Sequence, residues 1–416
     1  MTDFEVHLSR DGETRLVGHA RSNRARGKET VHFEYADGWL KDEDSFALEP
    51  GLPLTRGGFQ PPAGQAIHGS LGDSAPDTWG RRLMQRAERR QAEREGRPVR
   101  TLMESDYLLG VADETRLGAL RFRPPGGQDF LAKPHSGVPA LVKLGALLES
   151  TERILRDEDT DEDLQLIFAP GSSLGGARPK ASVIDQHDRV AIAKFPKETD
   201  DYSIETWEEI ALRLAERAGI TTASHELLHV AGKAVLLSRR FDREGGDRIP
   251  FLSAMAMMGA RDGEGGSYPE MVDVLTTHGA QAKRDAHELF RRVAFNVLVS
   301  NVDDHLRNHG FLRTGKAGWV LSPAYDLNPV PVDLKARVLT THIDLDEGTC
   351  SIGLLESAAG YFALSLADAR SILGQVASAT SRWREIAREV GAAAPELDRM
   401  ASAFEHDELR QALAFS

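Results

Sequence analysis

The chain of 416 residues contains one cysteine, Cys350. A single thiol cannot close an intrachain disulfide, which excludes a disulfide-held scaffold and points to a reducing cytoplasm. No run of about 18 or more apolar residues occurs, which argues against a membrane-spanning helix. The opening stretch, MTDFEVHLSRDGETR, is polar and acidic and lacks the apolar segment of a secretory signal. Positive charge is also short: 51 Lys and Arg stand against 64 Asp and Glu, a net charge of −13. Non-specific nucleic-acid binding relies on many phosphate-neutralising cations, so this balance disfavours it. No internal repeat or low-complexity tract is visible.

What is present is an ordinary globular composition, 41% hydrophobic and 28% charged. One segment breaks the acidic rule. Residues 81–100, RRLMQRAERRQAEREGRPVR, hold eight arginines against three glutamates. They read as a solvated helix with i,i+4 pairs such as Glu93 and Arg97; the alternative is a docking patch for an acidic partner. The first 120 or so residues lean towards β structure: TVHFEYADGWL alternates as a strand that turns at Asp37-Gly38, and GALRFRPPGG is a strand running into a breaker. PDTWGRRLMQRAERRQAER reads as a helix opened by Pro76-Asp77. The Pro/Gly-rich stretch 124–138 marks a domain boundary. A helix near 139–157, an acidic cluster at 156–163, a strand RVAIAKFP, a helix ending at Gly219 and a strand AVLLSRRFDR follow. From about 269 the pattern is mainly helical, interrupted at 309–329.

Two stretches carry chemistry. GSSLGGARPK, 171–180, has three glycines and two serines closed by a lysine. Gly171 and Gly176 match the first spacing of a Walker loop, but Ala177 and Arg178 stand where Lys and Ser/Thr are required. A kinase-type glycine loop is looser, a backbone cover over phosphates followed by a strand that carries a lysine. Gly175 and Gly176 precede such a strand, on which Val190, Ile192 and Lys194 share one face. A structural ion pair with an acid such as Glu208, or a triphosphate, would satisfy that lysine.

The second stretch is NVDDHLRNHGFL, 301–312, behind a helix whose Leu289, Val293 and Val297 form one apolar stripe. Asp303 and Asn308 are five residues apart, the separation of base and metal-binding Asn in a kinase catalytic loop. GFL and GWVL, joined by RTGKAG, read as a hairpin, and SPAYDLNP then delivers Asp326. Asp303 would deprotonate an attacking hydroxyl, while Asn308 and Asp326 would offer Mg²⁺ the hard oxygen ligands it prefers. Two other readings stand beside this one. His305 and His309 are spaced as in a zinc hydrolase, although Leu306 replaces the glutamate of that motif and Gly310 follows at once. Alternatively, the cluster simply caps a helix and satisfies a loop.

Together SSLGGARPK, AIAKFP, RRFDR, NVDDHLRNHGFL and SPAYDL resemble the kinase-core motifs of the HipA family, serine/threonine kinase toxins of bacterial type II toxin–antitoxin modules. PLTRG, GSLGDSAPDTWGRRL and LGALRFRP are similar to its N-terminal subdomain. The resemblance implies an α+β, protein-kinase-like two-lobed fold with a β-rich N-terminal subdomain (1–125), an N-lobe with the Gly-rich loop (126–265) and an all-helical C-lobe (266–416). It implies Asp303 as the catalytic base and Asn308 and Asp326 as Mg²⁺ ligands. ATP would meet Gly175, Gly176, Lys180 and Lys194, with Arg239, Arg240 and Phe241 at the adenine and His305 near the nucleotide. Ser173, or its neighbour Ser172, would be the autophosphorylated serine, and that modification would inactivate the kinase. The implied partners are a HipB-like helix-turn-helix antitoxin, operator DNA reached only through it, and a protein substrate of translation such as an aminoacyl-tRNA synthetase. A silent co-repressor that only binds its antitoxin is the competing expectation.

Overall fold

The computed structural model describes residues 2–132, 137–168 and 176–416, and the chain divides into two compact units. The first comprises residues 1–198 and 229–252, the second 199–228 and 253–416.

The first unit opens with an antiparallel sheet built from β1 (Thr2–Arg10), β2 (Glu13–Ala25), β3 (Lys28–Tyr35), β4 (Gly58–Phe59) and β5 (Leu120–Arg123), in the order β4-β3-β2-β1-β5. The period-2 pattern expected of a half-buried sheet is plain in β3, where Val31, Phe33 and Tyr35 are buried and Thr30, His32 and Glu34 are not. Phe4 meets Phe122 of β5 edge-on at 5.7 Å. Close packing needs Gly18 in β2, because a Cβ there would lie 2.3 Å from the Glu34 carbonyl oxygen. After β3 the chain enters a short helix, Asp37–Leu40, where the sequence suggested only a turn.

A second sheet has the order β6-β7-β9-β8, from β6 (Lys180–Ile184), β7 (Val190–Lys194), β8 (His225–Val230) and β9 (Lys233–Arg239). β8 is the strand along which the chain passes from the second unit into the first. β9 stops at Arg239, so the strand read across SRRFDR is shorter than the sequence suggested.

The arginine-rich helix spans Thr78–Arg94 and buries Trp79, Leu83, Met84 and Ala92. Its other face is not simply solvated. Arg86 and Arg90 pair with Asp159 at 2.5 and 2.9 Å, and Arg90 and Arg94 reach Asp161 at 3.3 and 3.0 Å. The acidic partner is thus the acidic cluster of the same chain. The expected Glu93–Arg97 pair is replaced, because the helix ends at Arg94 and the chain turns back through Gly96 at φ +62°. Arg97 meets Glu88 and Glu95 instead, at 2.6 and 2.5 Å.

The second unit is mainly helical. Its central helix, Ala282–Val299, has Leu289, Phe290, Val293, Phe295, Val297 and Leu298 fully buried, so its second half is buried almost all round. Trp207, Trp383 and Phe404 form a second core cluster, with Trp383 and Phe404 stacked at 4.7 Å. The expected hairpin is present as Gly310–Thr314 and Gly318–Leu321, paired Phe311 to Leu321, and Gly266–Ser267 pairs in parallel with Thr341–His342, so residues 266–416 are mainly helical rather than all-helical as the resemblance implied. Among the described residues no helix is long and apolar enough to cross a membrane.

Candidate active site

In the second unit, the central helix stops at Ser300, which turns left-handed at φ 54°. The loop that follows presents Asp303 to solvent, its side chain 65% exposed and paired with Lys335 at 3.2 Å. Asn308 bends back so that its Nδ2 donates to the Asp303 carbonyl at 3.0 Å. That orientation leaves the Asn308 Oδ1 as the atom available to a cation. Segment 322–330 runs along this loop: Ser322 N donates to Gly310 O at 2.8 Å and Tyr325 Oη to Arg307 O at 2.7 Å. The residues just before Asp326 and just before Asn308 are therefore tied together. Asp326 itself has φ 58°, a left-handed conformation that is uncommon for a residue with a Cβ and concentrates at functional sites. Asn308 and Asp326 offer hard oxygen donors, the set that suits Mg²⁺.

Beneath the loop lies a buried polar scaffold. Asp304, next to the exposed Asp303, is buried and accepts from Tyr268 Oη at 2.6 Å and from the Thr340 and Thr341 N–H groups at 2.9 and 3.3 Å. Burial pushes its carboxyl up to about 7, against these donors, which favour the charged form. His309 is buried as well, and burial lowers it to about 3, so its ring is neutral. Its Nε2–H donates to the Asp304 carbonyl at 3.3 Å. His305 is only partly buried and caps the short 3₁₀ turn Leu306–Asn308. The two histidines do not share a helix face, and no group of three His, Cys, Asp or Glu among the described residues could hold a metal. The i,i+4 spacing of a helical zinc motif is therefore not set on a helix here.

In the first unit, Lys180 and Lys194 are direct partners across β6 and β7, which places two cations on one face. Asp77 relieves Lys180 at 3.0 Å, both side chains being buried. Asp77 also caps the arginine-rich helix, accepting from Gly80 N at 2.7 Å; burial raises its carboxyl and Lys180 opposes the shift. Trp79 Nε1 donates to the Lys180 carbonyl at 3.0 Å. Gly176 sits at φ +111°, and a Cβ there would lie 3.1 Å from Lys180 Nζ. The C-terminal end of the glycine loop is thus anchored at the start of that helix. Asp77 marked only a helix start in the sequence, and its pairing with Lys180 carried no local signal. Gly175, Ser172 and Ser173 lie outside the described residues.

SRRFDR is mostly bound into the fold. Arg239 Nε donates to Asp185 at 3.0 Å, and the Phe241 ring lies 6.2 Å from that of Phe251. The Arg240 side chain is completely buried, donating to Asp242 at 2.6 Å and to the carbonyls of Thr115 and Arg116 at 2.8 and 3.1 Å. The adenine contact expected of Arg240 therefore has no exposed side-chain atom to rest on. Against burial, which would raise it, Arg240 and Arg243 hold the Asp242 carboxyl well below the usual range.

Comparison with known proteins follows the same lines. A family model described as HipA-like C-terminal domain matches residues 172–396, and one described as HipA N-terminal domain matches residues 12–105. A curated Haemophilus influenzae protein named "Putative kinase" is 25% identical over 195 residues, covering 41% of this chain and 57% of that relative. The chain thus matches little more than half the length of that relative. Among solved structures, Shewanella oneidensis HipA, in a complex with HipB and operator DNA, superposes with a TM-score of 0.66 at 20% identity, covering 99% of this chain and 96% of that one. The Helicobacter pylori proinflammatory kinase CtkA gives a TM-score of 0.44 at 16% identity, covering 58% of this chain and 90% of its own. The HipA superposition shows an α+β, kinase-like fold, and the family models span most of the sequence. The chain belongs to the HipA family.

Proposed function

We propose that this chain is an ATP- and Mg²⁺-dependent serine/threonine protein kinase acting as a cytoplasmic toxin. The observation that carries the reading is the contrast within one loop: Asp303 is exposed, while Asp304 and His309, which hold the loop in place, are buried. An acid kept in solvent on a rigid support is placed to meet an incoming hydroxyl.

In the proposed reaction, the Asp303 carboxylate orients a serine or threonine hydroxyl and takes its proton. The hydroxyl oxygen bonds to the γ-phosphorus as the bond to the β-phosphate oxygen breaks, and ADP departs. Asn308 Oδ1 and the Asp326 carboxylate would hold Mg²⁺, which supplies neutralisation of phosphate charge. Lys194 and the glycine loop ending at Gly176 would face the phosphates, with Arg239 and Phe241 towards the adenine; Lys180, expected at the phosphates as well, is buried on Asp77 and would instead anchor the end of the loop. His305 would lie near the nucleotide.

The Shewanella HipA structure contains HipB and operator DNA. By that likeness we assign a HipB-like antitoxin as partner, with DNA met through it, as suits a net charge of −13. The substrate class is a protein of translation, such as an aminoacyl-tRNA synthetase. Phosphorylation at Ser173 or Ser172 would add roughly −1.5 to −2 charges to a loop built for ATP phosphates, opposing nucleotide binding and silencing the kinase.

Purified protein given labelled ATP and Mg²⁺ is expected to label itself, and Asp303→Ala is expected to abolish the label. Equal labelling of the variant would overturn the assignment of Asp303. ATP binding without any turnover in the wild type would instead favour the silent co-repressor.

A further inference from the structure

A line of buried amides runs beneath the loop and ends at Asp326. Asn301 is 2% exposed. Its Oδ1 accepts the backbone N–H of Asn328 at 3.1 Å, and its Nδ2 donates to Asn296 Oδ1 at 3.0 Å. Asn296 Nδ2 donates to Tyr268 Oη at 2.9 Å, and Tyr268 donates to Asp304 Oδ2 at 2.6 Å. At the other end, Asn328 Nδ2 donates to Asp326 Oδ1 at 3.2 Å.

The direction of every bond in this line is dictated by chemistry. A backbone N–H can only donate, so Asn301 must turn its oxygen to Asn328 and its nitrogen to Asn296. Asn296 must then present its nitrogen to Tyr268, whose proton goes to the Asp304 acceptor. The Asn301 and Asn296 amides thus each have one satisfied orientation. Among the described residues the buried Asn328 Oδ1 meets no donor, while its Nδ2 meets Asp326.

We propose that Asn301 is a positioning residue for the Asp326 carboxylate, acting through Asn328. The Asn301–Asn328 bond holds the turn in which Asp326 keeps its left-handed backbone, and the Asn328 amide then steers the carboxylate towards the cation. The inference rests on the kinase reading, in which Asp326 is a Mg²⁺ ligand.

The experiment measures thermal stabilisation of the full chain by ADP, titrated with Mg²⁺ and repeated in EDTA. Asn301→Ala is expected to raise the Mg²⁺ concentration for half-maximal stabilisation by roughly 3- to 10-fold, the worth of one hydrogen bond, while ADP binding in EDTA stays unchanged. Asn328→Ala removes only the half-buried amide that contacts Asp326 and is expected to shift the Mg²⁺ requirement the same way. It decides the matter if Asn301→Ala does not fold. Wild-type Mg²⁺ dependence in either folded variant overturns the positioning role alone. A wild-type protein whose ADP binding ignores Mg²⁺ overturns the kinase reading and this inference with it.

Discussion

SRRFDR in the first unit and NVDDHLRN in the second are both rich in charge, yet they put it to opposite uses. In the first, Arg240, Arg243 and Gly118 N–H converge on Asp242, and both Arg240 and Asp242 are buried. Nothing of that carboxylate remains for an outside molecule. In the second, the buried members form a support, while Asp303 faces solvent and the half-buried Asn308 is tied by its Nδ2 to the Asp303 carbonyl. A polar cluster that closes on itself is cement; one that ends in an exposed acid on a fixed base has capacity for chemistry.

Substitutions can break this contrast, and the largest effect is expected at Asp303. Asp303→Ala is expected to lower phosphoryl transfer by about 10²- to 10⁴-fold, the usual worth of a general base, with the denaturation midpoint essentially unchanged because the side chain is exposed. Steady-state kinetics and a urea melt on the same sample check both halves.

Asp242→Ala should do the reverse. Removing one member of a buried ion cluster strands Arg240 and costs about 3–5 kcal/mol of stability. Chemical denaturation reads that loss directly. A variant as stable as the wild type would show that the cluster is not cement.

A subtler effect concerns pH. The Asp304 carboxyl, pushed up to about 7 by burial, holds its proton more tightly folded than unfolded. Its contribution to stability is therefore full below about pH 4, the unfolded value, and is lost as pH rises through about 7. Asn at this position carries no such proton, so the urea midpoint of Asp304→Asn is expected to fall less than that of the wild type between pH 5 and pH 8. Parallel profiles would remove Asp304 from the titrating groups.

The smallest effect is expected at Lys335. Its pair with Asp303 is exposed on both sides, so Lys335→Ala should change stability by less than about 1 kcal/mol.

Much of this was legible in the sequence wherever the signal was local. The apolar stripe at Leu289, Val293 and Val297, the hairpin around RTGKAG, and the interval from Asp303 to Asn308 all lie within a few turns of chain. The arginine-rich segment was legible as a helix but not as a docked one, because its acids lie some seventy residues further on. SRRFDR was harder still. Charge density cannot tell an arginine that reaches for a ligand from one sealed against Asp242.

The sequence by itself determined the periodicities, the caps and the spacing of the chemistry-bearing residues, because these depend on neighbours along the chain. Only the tertiary structure decided that Asp303 is exposed while Asp304 is buried, that Lys180 is matched to Asp77, and that Asn301 reaches Asn328. Burial and hydrogen-bond direction are set by residues far apart in sequence. A side chain's chemistry follows from what the fold leaves unsatisfied around it.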